Sequence, residues 1–410
     1  MTALQSEAIL ARIADRSASR IELDLERLPT LLERLGRPHL RLPRVIHIAG
    51  TNGKGSTLAF LRAMLRHAGK RVQCFTSPYL LRVTEEIELA DGEIADDRLA
   101  GLLTRVDEAS DGIGPTSFEA LAAAAFLAFA EDDADVLLME TAMGGRLDVT
   151  NVVPDPALTV ITPIALDHQA FLGDTIAKIA GEKAGILKLG APCVANPEHP
   201  DAVEVIERRA AELGIELDLL PPEADHDLPP LGLAGPHQQR NAALAVAAMR
   251  RFAPELLPDA LAGLVEARWP ARMQRLDRDD VEIWIDGGHN PHAARAMSAA
   301  IAALPPKPLV MIVGMLDNRP VGEFLSAFRS FEPLVIGVPL PGQPVYSVGR
   351  PMAPEVIAAA AHDLGLNALV AGSPAEALEQ MPGAWEETRI LVTGSLYLAG
   401  RAAEELSRSD

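Results

Sequence analysis

The apolar positions change their period from one stretch of the chain to the next. Short runs rich in β-branched residues alternate with longer stretches in which apolar residues return every three or four positions. The first pattern reads as a buried strand, the second as a helix packed on one face. Residues 6–14 and 24–35 read as amphipathic helices. Residues 44–50 (RVIHIAG) read as a strand bounded by Pro43 and Gly50. Residues 56–68 follow as a helix, with Leu58, Leu61, Leu65 and Ala68 at helical spacing and Gly69 placed to end it. Residues 71–77 are the next strand. Further along, 119–130 is an Ala-rich helix, 135–140 a strand ending on Glu140, and 157–164 a strand ending just before Asp167 and His168. Residues 175–187 and 238–252 read as helices, and 221–236, rich in Pro, Gly and Asp, as a loop. After Arg268 the alternation starts afresh. Strands are predicted at 281–285, 308–313, 334–338, 368–371 and 389–393, with helices such as 292–304 and 354–364 between them. Strand, glycine turn, helix, strand is a βαβ unit, so the class is α/β with parallel sheets. Two domains are expected, 1–270 and a smaller 271–410, with the boundary near 269–275.

Length agrees, because 410 residues exceed what one compact core usually holds. Composition is that of an ordinary globular protein, and it changes the picture only through charge. Asp and Glu number 57 against 37 Lys and Arg, a formal charge of −20. Such a surface repels nucleic acid and anionic membranes, so neither is an expected partner. Anionic substrates would need positive charge concentrated at the site itself. Two cysteines, Cys74 and Cys193, leave one disulfide open but fit a reducing cytosol better. The N-terminus mixes charge into its apolar residues, unlike a signal peptide, and no stretch is apolar for long enough to span a bilayer. A cytoplasmic location is therefore expected.

The strongest chemical signal is AGTNGKGST, from Ala49 to Thr57, between a predicted strand and a predicted helix. Glycines there let backbone N–H groups close around phosphate oxygens, and the helix N-terminus adds partial positive charge. Lys54 would reach the outer phosphates and Ser56 a magnesium ion. The loop is shorter than the general phosphate-loop pattern, and Gly55 separates the lysine from the serine; the competing reading is a glycine-rich turn with an incidental lysine. Glu140 and His168 each follow a strand at the edge where parallel sheets bind ligands. They suit a magnesium–triphosphate site, or equally a salt-bridging acid and a satisfied loop histidine. Glu182 and Lys183 fit either a solvated pair or a partly buried, reactive amine. In IWIDGGHNPHAA, Asp286 ends a strand where an acid can accept from a ribose hydroxyl, and His289 lies just before a helix. Arg272, in WPARMQ, suits a cleft between domains or an interdomain salt bridge.

Taken in order, HIAGTNGKGST, TSPYLLRVTEEI, TSFEALA, LLMETAMGGRLDVTNVV, ITPIALDHQAFLGDTIAKIAGEKAGI, QQRNAAL, WPARMQ, IDGGHNPHAA, VGML and LVTGSLYLAG resemble the folylpolyglutamate synthase and dihydrofolate synthase family of the Mur-ligase superfamily. The likeness covers nearly the whole chain. It implies an N-terminal phosphate-loop ATPase domain followed by a Rossmann-like glutamate-ligase domain. It implies transfer of the ATP γ-phosphate to a carboxylate and attack of the glutamate amine on the acyl phosphate. The implied substrates are L-glutamate with dihydropteroate or a reduced folate; the alternatives are a monofunctional folylpolyglutamate synthase or another Mur-type ligase. By the same resemblance Gly50, Thr51, Asn52, Gly53, Lys54, Gly55, Ser56 and Thr57 hold ATP, with Asn241, Arg272, Asp286 and His289. Ser77, Glu140 and His168 hold magnesium, and Lys183 is carbamylated. Thr116, Phe118, Asp148 and Val149 line a pterin pocket, and Ser395 a glutamate site. Lys54, Lys183, His168 and Glu140 are the implied catalytic set, in a chain expected to act as a monomer. Tyr79 stands where the family usually has histidine, Met143 where leucine is usual, and residues 317–320 (DNRP) replace its lysine–aspartate pair. A muramyl ligase would need a further N-terminal domain, for which the chain ahead of Gly50 is too short. A nucleotide-binding switch or inactive scaffold would be expected to lack the metal and phosphate residues.

Overall fold

Two strand-rich layers organise the chain, each wrapped by helices. The computed structural model describes residues 4–17, 25–221, 228–278, 281–340, 342, 349–380 and 387–406. The first residue of the predicted helix 24–35, and 222–227 of the predicted loop, lie outside these. The chain forms two units: one holds the residues up to Leu231 and Arg240–Ala267, the other Gly232–Gln239 and most of the chain from Arg268 onward.

The first unit is built on β1 (Arg44–Ala49), β2 (Val72–Phe75), β3 (Ile87–Leu89), β4 (Gly92–Glu93), β5 (Val136–Glu140), β6 (Leu158–Ile161), β7 (Cys193–Ala195) and β8 (Leu217–Leu219). Their order is β4-β3-β2-β5-β1-β6-β7-β8. The β2–β3 and β3–β4 pairs are antiparallel; the rest are parallel. Its helices are α1 (Gln5–Arg16), α2 (Arg27–Arg34), α3 (Lys54–His67), α4 (Asp96–Ala109), α5 (Ser117–Ala130), α6 (Gln169–Leu172), α7 (Ile176–Ala184) and α8 (Pro200–Leu213). The central strands are covered on both faces, which is why they read as unbroken apolar runs. On one face α1, α2, α4 and α5 pack around Phe75, Phe126 and Phe129. Burying each such ring contributes roughly 1.5–3 kcal/mol. On the other, α7 and α8 pack around Ile161, Ile179 and Ile206. Helix α5 is apolar nearly all round because it is buried nearly all round.

Helix α9 (His237–Phe252) and the short α10 (Leu257–Ala260) lead to the second sheet. It contains β9 (Gln274–Arg278), β10 (Val281–Ile285), β11 (Leu309–Val313), β12 (Leu334–Gly337), β13 (Ala368–Val370) and β14 (Arg389–Thr393), in the order β13-β12-β11-β14-β10-β9. Only β9, at the edge, runs antiparallel to its neighbour. Helices α11 (Pro291–Ala302), α12 (Val321–Ser326), α13 (Pro354–Asp363), α14 (Pro374–Glu379) and α15 (Leu396–Leu406) complete this unit. Its core is Phe324, Phe328, Trp284 and Met311. Beneath it, the nearly buried Arg389 meets the Glu282 carboxylate at 2.6 Å, and Trp284 and Lys307 bind the same acid at 2.8 and 3.1 Å. The fold is thus the α/β class expected, with a mostly parallel sheet in each unit.

Both thiols are free and buried, Cys74 on β2 and Cys193 on β7, so the disulfide left open by the sequence does not form. Burial pushes both thiols up, Cys193 to about 12. Among the described residues, no helix is long and apolar enough to cross a membrane.

Candidate functional site in the first unit and its counterpart in the second

Strands β2, β5, β1 and β6 are consecutive and parallel, so their C-terminal ends lie along one edge. That edge receives the phosphate loop after Ala49, Ser77 after β2, Glu140 on β5 and the 162–168 loop after β6. Two glycines shape the loop. Gly50 has φ 154°, and a Cβ there would stand 1.8 Å from Thr162 Oγ1. Gly53 has φ 88°, and a Cβ would stand 2.5 Å from Asn241 Oδ1. Asn241, on α9, is thus packed directly against the loop it was expected to serve. Thr51 staples the loop to the next one: its amide donates to Pro163 O at 2.9 Å and its hydroxyl to Ala165 O at 3.1 Å. Asn52 N–H also points at Pro163 O. Lys54, Gly55, Ser56 and Thr57 form the first turn of α3, with Thr57 N–H closing back on Gly53 O at 2.8 Å, so the helix N-terminus opens on the loop.

Two lysines stand at the loop, and Lys54 brings the positive charge that an acidic chain needs at such a site. Lys54 Nζ lies 3.6 Å from Glu140 Oε1. Lys183, on α7, is 4% exposed and donates from Nζ to Gly50 O at 2.8 Å. Burial, then the Lys54 charge, lowers its amine to about 7 against the pull of Asp167, Asp148 and Glu182. Glu182 turns instead to Arg146, with which it pairs at 2.8 Å. The neighbouring Glu–Lys pair of the sequence is therefore split between two jobs.

His168 heads α6 with φ 50°, a left-handed conformation unusual for a residue with a side chain, and its amide donates to Asp167 Oδ1 at 2.7 Å. The Ser77 hydroxyl is buried with no hydrogen-bond partner. An orphaned oxygen at this edge, beside the strand that ends on Glu140, suits a hard cation. Among the described residues no three His, Cys, Asp or Glu side chains form a metal cage. A serine hydroxyl, a carboxylate and an imidazole along this edge are donors that fit a divalent ion such as magnesium, which keeps several waters and leans on phosphate oxygens.

The expected pterin residues follow Phe75 and Glu140. Phe118, in the first turn of α5, stacks on Phe75 with centroids 6.3 Å apart. Thr116 caps α5 in a capping box, its hydroxyl accepting from Glu119 N and its amide donating to Glu119 Oε2. Asp148, expected in the pterin pocket, is held by its own loop. Its Oδ2 already accepts from Ala142 and Met143 amides, both at 2.9 Å, and its Oδ1 from the amide and hydroxyl of Thr150. A ring amino group would have to displace one of these donors. Val149 is buried at the start of the short turn after Asp148. Sequence reasoning passed over Thr150 and Asn151, although both stand in the LDVTN motif, and over His47 in the strand ahead of the loop.

In the second unit, Asp286 directly follows β10 and holds two backbone amides, Gly288 N on Oδ1 and Met273 N on Oδ2, each at 2.8 Å. It therefore fixes the bend 271–273, in which Ala271 and Met273 take φ 55° and 42° on either side of Arg272. The Arg272 guanidinium runs back to Ala271 O at 3.0 Å. His289 Nδ1 lies 3.1 Å from Gly287 O, and Ser395 opens α15 after Gly394 at φ 101°.

Comparison with known proteins places this geometry. Residues 48–217 match the Mur ligase middle domain and 271–396 the Mur ligase glutamate ligase domain. The chain is 38% identical over 307 residues to dihydrofolate synthase/folylpolyglutamate synthase of Bacillus subtilis, covering 67% of this chain and 71% of that one. It is 32% identical over 419 residues to folylpolyglutamate synthase of Lacticaseibacillus casei, covering 93% and 94%. The structure of Escherichia coli FolC in complex with DHPP and ADP superposes with a TM-score of 0.86 at 30% identity, covering 98% of both chains. The chain therefore belongs to the folylpolyglutamate synthase/dihydrofolate synthase family of Mur ligases, which are ATP-dependent, ADP-forming amide ligases.

Proposed function

We propose that this ligase joins L-glutamate both to dihydropteroate and to reduced folates through an acyl phosphate. The observation that carries the reading is the pair of lysines at the phosphate loop, one facing Glu140 and one bonded to Gly50 O. Loop amides and Lys54 hold the γ-phosphate as a carboxylate oxygen of the acid forms a bond to phosphorus and the bond to the ADP oxygen breaks. Neutralising the triphosphate is the chemistry magnesium supplies when bound, with Ser77, Glu140 and His168 as its protein donors. The glutamate nitrogen then attacks the acyl carbon, phosphate leaves with its electron pair, and the amine loses a proton. In the second unit we assign Arg272, Asp286 and His289 to nucleotide and Ser395 to glutamate. What supports the dihydropteroate half is Phe118, an aromatic face on the first turn of α5 offered to a flat ring. Solved relatives support both substrates: one is a complex with DHPP, and another, a bifunctional folylpolyglutamate synthase/dihydrofolate synthase, holds Mn, AMPPNP and L-glutamate.

We also assign a carbamate to Lys183. An ammonium beside Lys54 and a dication is unfavourable, whereas a neutral amine adds CO₂ and becomes an anion. Incubation of the chain with ATP, labelled glutamate and, in turn, dihydropteroate, tetrahydrofolate and tetrahydrofolate diglutamate tests the assignment. Label should enter all three acids. Incorporation into tetrahydrofolate but never into dihydropteroate makes the enzyme monofunctional.

A further inference from the structure

We propose that His47 is a positioning residue for the acid substrate, fixing the 142–149 loop against the strand that feeds the phosphate loop through Thr150 and Asp148. His47 sits in mid-β1 between Ile46 and Ile48, wholly buried, where the strand beyond the exposed Arg44 is otherwise apolar. An imidazole there costs desolvation that an aliphatic side chain would avoid, so its bonds carry its reason for being there.

The direction of those bonds follows from counting hydrogens. Thr150 has one hydroxyl hydrogen, and it goes to Asp148 Oδ1 at 2.6 Å. Thr150 Oγ1 therefore accepts from His47 Nε2, 2.8 Å away, and Nε2 carries the proton. Nδ1 is left bare, and it is buried with no partner. Burial, with Lys188 nearby, lowers the imidazole to about 3, so the ring stays neutral. From Asp148 the relay passes to the amides of Ala142 and Met143, the residues next beyond Glu140 and Thr141. Asn151 adds a second tie, donating to Arg146 O at 2.9 Å and to Gly185 O at 3.2 Å, just past the end of the helix that carries Lys183. One short motif thus fastens the loop to β1 and to α7.

The inference rests on reading Phe118 and Val149 as part of the acid pocket, and the test separates the two. Full-length His47→Leu, His47→Gln, Thr150→Val and Thr150→Ser are assayed for kcat and for KM toward tetrahydrofolate, ATP and glutamate, with Phe118→Ala as the pocket control. The leucine and valine variants should raise the folate KM about tenfold while ATP KM and kcat stay within about twofold. Glutamine, whose Nε2 can donate from nearly the same point, and serine should restore it. An unchanged folate KM in folded His47→Leu, with Phe118→Ala raising it, overturns the relay. So does an equal rise in all three KM values, which marks a merely structural role. A rise in His47→Leu with none in Phe118→Ala keeps the relay and removes Phe118 from the pocket. Ring nitrogen shifts of the wild-type protein give a reading independent of any variant: Nε2 must be protonated and Nδ1 bare, and the opposite tautomer overturns the proposal.

Discussion

Lys54 and Lys183 share one loop, and the roles proposed for them depend on opposite protonation states. Lys54 lies beside Glu140 and, in the proposed mechanism, acts as a charge on the phosphate being transferred. Lys54→Ala should cut ADP formation on the order of a hundredfold or more, because one lost contact to developing transition-state charge typically costs that much. Its melting temperature should stay near that of the parent, and ADP release in the presence of both acid and glutamate is the measurement. The carbamate proposed for Lys183 requires that its amine first lose a proton. Its amine titrates near 7, so the neutral form that adds CO₂ grows as pH rises through that value. Enzyme stripped of CO₂ should regain activity on adding bicarbonate, and faster above pH 7 than below it. Lys183→Ala should be nearly inactive and partly rescued by a short carboxylic acid. Lys183→Arg should remain inactive, since a guanidinium keeps its proton. Full turnover in the arginine variant removes the carbamate.

At the scale of the element, Thr116 shows how one residue carries structure and expected function together. Its capping box closes the N-terminus of α5, and Thr116→Ala should lower stability by about 1 kcal/mol, read by denaturant melts. Thr116→Ser should restore it, keeping the acceptor oxygen. The long elements were legible in the sequence: β10 and β14 run over the very residues read as strands, and β1 and β5 differ by one at an end. Double burial gives them unbroken apolar runs. Strands β3, β4, β7 and β8 were not legible, because two or three residues are too few to show a period. Helix α4 was missed with them, since it opens on Ala95 with no side-chain cap, and so was α8, capped by a histidine rather than the commoner Ser, Thr, Asp or Asn. The site divides in the same way. Its phosphate loop is announced by local glycine spacing. That Asp148 and Asp286 hold backbone amides depends on where distant turns fall, and a carboxylate letter in a sequence does not say whether its oxygens are already filled.

For the molecule as a whole, the second unit carries an acid-sensitive lock. Arg389, Trp284 and Lys307 overcome the burial that would raise Glu282 and hold its carboxyl down at about 2. A depressed carboxyl contributes stability that is complete above its unfolded value near 4.5 and drains away as pH falls toward 2. Glu282→Gln should therefore melt below wild type at neutral pH, with the gap closing across that window. A constant gap would mean that the ion pair with Arg389 contributes nothing. Cys74 and Cys193 flank the centre of the first sheet on opposite sides, on β2 and β7, and neither offers a thiolate to solvent while the strands are in place. The chain thus comes with two silent clocks already installed. A thiol reagent such as a maleimide should leave the native protein unlabelled and mark each cysteine only at the rate its own flank comes apart. Comparing the two rates, with and without nucleotide, would show which flank of the sheet ligand binding holds shut.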